Sequence, residues 1–82
     1  MKEDLIKEVG NKLDELNVYI YDVVEEKEGK DTYLRVIIDA EDMIDIERVV
    51  KATKIIDPII EKMNLINGEY ILDVYAKSKE SV

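Results

Sequence analysis

The side chains that could do chemistry in this sequence are its carboxylates, because the usual reactive groups are missing. There is no histidine, so the side chain that titrates near neutral pH is lacking. There is no cysteine, and serine occurs only at Ser78 and Ser81, in a polar tail, so no histidine-activated nucleophile can be assembled. Aspartate and glutamate number 20 in 82 residues, a density at which paired carboxylates arise by chance. A glycosidase-like pair would also need a cleft that so short a chain can hardly enclose. The sequence is that of a protein that binds, not of an enzyme.

One acidic run invites a metal: Asp39-x-Glu41-x-Met43-Ile44-Asp45-x-Glu47. A calcium loop of the EF-hand kind wants an oxygen donor where Met43 stands and a glycine where Ile44 stands. The run reads instead as an acidic connection leading to a helix cap at Asp45, and no metal or other cofactor is expected. The net charge of −8 and pI near 4.5 repel nucleic-acid phosphates and anionic membrane surfaces alike. Direct nucleic-acid binding by this domain should be weak or absent. The same field steers basic proteins inward. No apolar run approaches the roughly 20 residues that span a bilayer. The N-terminus lacks the apolar region of a signal peptide, so a cytoplasmic location is expected.

The elements that would position these carboxylates can be read from periodicity. Leu5, Ile6, Val9, Leu13 and Leu16 form one stripe, which predicts a helix over 2–16 with Gly10 tolerated inside it. Val18 to Val24 and Tyr33 to Asp39 predict two strands of a hairpin around a polar turn at 26–31. Ile46, Val49, Val50, Thr53, Ile56, Ile59, Ile60 and Met63 predict a second helix, kinked or divided at Pro58. Asn67-Gly68 is a turn, and Tyr70 to Tyr75 a third strand. The order α-β-β-α-β implies an α+β two-layer sandwich, a three-stranded mixed sheet with two helices packed on one face. Residues 1–76 are expected to form that single domain and 77–82 a polar, frayed tail. A right-handed crossover makes the third strand parallel to the second, and its neighbour in the sheet is left open.

Leu34, Val36, Ile38, Leu72 and Val74 should face the helices, leaving Arg35, Ile37, Asp39, Ile71, Asp73 and Tyr75 on an open face with Asp22 and Val24. Interleaved apolar and acidic groups on an exposed sheet suit a basic, partly apolar protein surface. The candidate partner-binding residues are Asp22, Arg35, Asp39, Asp42 and Asp73, with Arg35 placed to organise Asp22 and Asp73 across the sheet. The topology is also that of one variant of the KH fold, which holds RNA with a G-x-x-G loop. Gly10, Gly29 and Gly68 are too scattered to make one.

Leu34-Arg35-Val36-Ile37-Ile38-Asp39, an acidic loop and Asp45-Ile46-Glu47 together resemble the L-R-V-x-I-D…D-I-E signature of the RimP ribosome maturation factor family. Tyr70-Ile71-Leu72-Asp73-Val74 is similar to that family's Y-x-L-E-V strand, and the hairpin with Glu28-Gly29 has the family's length. The likeness covers essentially the whole chain as the family's N-terminal domain. Two positions depart from it: Tyr75-Ala76-Lys77-Ser78 stands where Ser-Ser-Pro-Gly usually leads to a second, β-barrel domain, and Pro58 lies inside the helix. That second domain is absent from these 82 residues. The resemblance implies a factor without catalytic activity or cofactor that binds the immature small ribosomal subunit, with a basic ribosomal protein as the contact. The domain is expected to be monomeric. The competing expectation is a stand-alone domain that self-associates through the same sheet, without a ribosomal role.

Overall fold

Helix α1 (Lys2–Val9) opens a chain of order α-β-β-α-β in the computed structural model, which describes residues 1–78. Glu3 and Asp4 in its first turn and Lys7 in its last match its macrodipole. The helix does not continue to Leu16. Gly10 ends it, taking φ 56° and ψ −126° while its amide still donates to the Ile6 carbonyl at 3.0 Å. A glycine inside a helix costs about 1 kcal/mol, and at a C-terminus that cost disappears. A 3₁₀ turn at Asp14–Leu16 follows, closed by Asn17 at φ 55°. Leu5, Val9 and Leu13 are nonetheless all buried, so the apolar stripe outlives the break, whereas Ile6 is exposed.

Strands β1 (Tyr19–Glu28) and β2 (Asp31–Asp39) pair antiparallel and reach further into the charged turn than predicted. The reason is the turn itself. Gly29 at φ 60° followed by Lys30 without positive φ makes a two-residue loop of type II′, which lets Glu26, Lys27 and Glu28 pair with Tyr33, Thr32 and Asp31. A bulge at Tyr21 lets both Ile20 and Val23 reach the core, opposite Ile38 and Val36, although they stand three positions apart and regular alternation would put them on opposite faces.

Asp45 caps helix α2 (Ile46–Met63), its Oδ1 accepting from the Arg48 amide at 2.9 Å. The helix runs unbroken through Pro58, so the expected division does not occur. Proline removes the amide that would have reached the Lys54 carbonyl, but both residues are exposed and water can supply that bond. Asn64 in the left-handed region ends α2. Strand β3 (Ile71–Ala76) then lies parallel to β2, giving the sheet order β1-β2-β3.

Both helices cover one face. Leu34, Val36 and Ile38 of the central strand are fully buried against it, beneath Leu5, Ala52, Ile56 and Ile60. Leu72 and Val74 of β3 join the same core but are only half-buried, because the helical layer thins out over that edge. Among the described residues no helix is long and apolar enough to cross a membrane.

Candidate interaction surface

The sheet's other face is uncovered by any described element. Register alone fixes what it shows: Asp22, Val24 and Glu26 from β1, Tyr33, Arg35 and Ile37 from β2, Ile71, Asp73 and Tyr75 from β3. Tyr21, Ile71 and Tyr75 keep about two-fifths of their surface accessible, so the face mixes rings and carboxylates. Lys77 lies over the Tyr21 ring, its Nζ 4.3 Å from the ring centre.

Arg35 stands at the centre of this face and joins all three strands. Its Nη1 meets Glu26 Oε2 at 3.0 Å, its Nε donates to Asp73 Oδ2 at 3.4 Å, and its Nη2 donates to Glu28 Oε1 at 3.5 Å. Its guanidinium carbon sits 4.8 Å from the centre of the Tyr33 ring. The geometry follows from the register. Asp73 is directly opposite on β3, while Val24 is opposite on β1 and leaves the two diagonal neighbours, Asp22 and Glu26, to compete. Glu26 takes the arginine with its longer side chain. Asp22, beside the bulge, turns back to accept from the Val23 amide at 2.9 Å. The expected Arg35–Asp73 link is therefore present, and Asp22 is replaced as a partner by Glu26 and Glu28. Partial burial lowers the guanidinium pKa, but the hydrogen bond and charge of Glu26, then Glu28 and Asp73, outweigh it and hold the group above its ordinary value.

The other two candidate residues sit around the acidic connection. Asp39 is only 6% exposed: its Oδ1 accepts from the Ala40 amide at 2.8 Å and its Oδ2 from the Tyr19 hydroxyl at 3.2 Å. It holds the end of β2 in place and does not project from the open face as the alternation predicted. Asp42 is exposed and accepts from Arg48 Nη2 at 2.6 Å. The same guanidinium donates to the Met43 carbonyl at 2.8 Å and, through Nη1, to the Leu16 carbonyl at 3.1 Å. Arg48 thus ties the acidic connection and the 3₁₀ turn to the start of α2. Sequence reasoning passed over it. The available signal was its position: a cation in the first helical turn opposes the macrodipole and needs another reason to be there. The carboxylates of the acidic run point to separate tasks, and among the described residues no group of three or more forms a metal site.

A second feature borders the sheet. Asp57 and Glu61 of α2, with Gly68, Glu69, Tyr70 and Leu72, line a groove of about 560 Å³ beside the start of β3. Burial, then the charges of Glu61 and Asp57, raise the Tyr70 pKa above its ordinary value. The groove is negative.

Against known families, the chain matches the model described as the RimP N-terminal domain over residues 8–76. The match runs from the end of α1 through the hairpin, α2 and β3, and so takes in the open face, the Arg35 network and the Arg48 clamp. The chain belongs to the RimP N-terminal domain family.

Proposed function

We propose that this domain is a non-catalytic binding module in ribosome maturation, one that assists assembly of the small (30S) subunit in the cytoplasm by contacting a basic ribosomal protein. Family membership over residues 8–76 carries the reading. The net charge of −8 supports its choice of partner, since ribosomal RNA is repelled by such a surface and basic proteins are drawn to it. The contact residues are Asp22, Arg35, Asp42 and Asp73, with Asp39 acting behind them by holding the end of β2. No cofactor and no reacting group is needed.

Co-sedimentation with immature and mature small subunits, at low and at high salt, tests this. Salt-sensitive binding that prefers the immature particle is expected, and Asp22→Lys with Asp73→Lys should weaken it more than tenfold. Equal binding to both particles, or binding indifferent to charge reversal, refutes the reading. A face-to-face pair of copies would bring two charges of −8 together, so the domain should also sediment as a monomer at high concentration.

A further inference from the structure

The two edges of the sheet are not alike. The β1 edge carries the devices that keep strands from pairing with strangers: a bulge at Tyr21 and the charged run Glu25-Glu26-Lys27-Glu28. The β3 edge, Ile71-Leu72-Asp73-Val74-Tyr75-Ala76, has one charge, no proline and no bulge. No described strand pairs with its outer side. In a parallel ladder alternate residues bond to the neighbouring strand, and the Lys77 amide donates to the Ile38 carbonyl at 2.8 Å. Counting back by twos, Tyr75 and Asp73 also bond inward, and Leu72, Val74 and Ala76 turn their amides and carbonyls outward.

We propose that the outer edge of β3 takes an extended basic segment of another protein as a fourth strand. Backbone pairing supplies the affinity, and the surroundings supply the selection. On the helix side, alternate side chains of the added strand would reach half-buried Leu72 and Val74 and the groove walled by Asp57, Glu61 and Glu69. Among the described residues no cation lines that groove, so lysine or arginine at those alternate positions is the complementary chemistry. Two copies pairing through β3 would bring together two chains of net charge −8, which argues for a different protein as occupant. This site is the sheet edge, distinct from the open face assigned to the ribosomal contact, and it does not require that assignment.

The test uses the 82-residue chain, an alternating valine–lysine octapeptide, and a valine–glutamate peptide of equal length as control. Amide hydrogen exchange and chemical shifts are followed by nuclear magnetic resonance. The lysine peptide should bind, slow exchange at Leu72, Val74 and Ala76, and lose affinity as salt rises; the glutamate peptide should not bind. Val74→Pro removes one outward amide at a position where an edge strand tolerates proline, so the fold persists while affinity falls about tenfold or more. Asp57→Lys with Glu61→Lys, remote from the ladder, should reverse the preference between the two peptides. Three results would overturn the proposal: no binding of the lysine peptide, binding that shifts Arg35 and Tyr75 without slowing exchange at Leu72, Val74 and Ala76, or protection of those amides that rises with protein concentration and no peptide, which would make a second copy the occupant. None of these bears on sedimentation with ribosomal subunits, so the two ideas can fail separately.

Discussion

Replacing Arg48 with methionine isolates the guanidinium, because methionine keeps an apolar stem and leaves the backbone cap from Asp45 intact. The side chain is 19% exposed, so its contacts are partly shielded from water. Its bond to the Leu16 carbonyl is the least exposed of them, and a charged hydrogen bond of that kind contributes about 1.5–3 kcal/mol. Asp42 is 68% exposed, so its 2.6 Å pair with Arg48 contributes at most about 1 kcal/mol after screening. The Met43 carbonyl is exposed and rehydrates at little cost. Against this, removing a cation from the positive end of α2 returns roughly 0.5 kcal/mol. The net expectation is a loss of about 2 kcal/mol, which for a domain of this size lowers Tm by roughly 10 °C. Urea unfolding followed by circular dichroism reads the first number and a thermal scan the second. Arg48→Lys should recover less than half, since one ammonium cannot span Leu16, Met43 and Asp42 at once. A loss below about 0.5 kcal/mol for Arg48→Met would refute the clamp, since methionine cannot satisfy the Leu16 carbonyl.

Two further outcomes follow from burial and charge. Ile56 is fully buried between the helices and the central strand, so Ile56→Ala should cost about 3–4 kcal/mol in urea unfolding, with an unchanged slope if only a cavity forms. Tyr70 has its pKa raised by burial and by Glu61 and Asp57, so the folded state holds its proton longer than the unfolded chain. The stability this provides is complete below about pH 10 and is lost as pH climbs through the raised folded value. Unfolding measured from pH 8 to 12 should show that loss, and it should be smaller in Tyr70→Phe.

Much of this fold was legible because its signals are local. The alternation in Leu34-Arg35-Val36-Ile37-Ile38 assigned the two faces of the central strand, and Asp45 was readable as a cap from its place before the α2 stripe. What escaped needed tertiary context. Gly10 could be absorbed or could end a helix, and only the approach of the chain to β1 decides between them. The bulge at Tyr21 depends on which residues β2 offers opposite, so the return of Asp22 to its own backbone was hidden, and with it the choice of Glu26 by Arg35. Asp39 had the outward parity of its strand, yet at the last residue of β2 the chain leaves the sheet and parity stops governing exposure. The half-burial of Leu72 and Val74 depends on how far α2 extends over β3, which no periodicity records.

Both arginines of the chain, Arg35 and Arg48, are committed to its own architecture, one across three strands and the other across a helix start, a loop and a turn. Arginine suits such positions because its rigid fork meets several acceptors at once, which lysine cannot do. The consequence for binding is electrostatic. With these two guanidinia engaged by Glu26, Glu28, Asp73, Asp42 and Asp45, the side-chain cations left to the other carboxylates are flexible, hydrated lysines, and the excess of −8 is expressed outward. A domain this small buries only about 60% of its unfolded surface and has little interior in which to build a pocket. Recognition is then left to the surface, where the acidic open face and the unprotected edge of β3 are the two features proposed to meet a partner. Leu72 and Val74 lie half-buried where an added strand, about 4.8 Å beyond β3, would cover them. Binding there would extend the core across the interface, and the apolar area so buried would add to the backbone pairing.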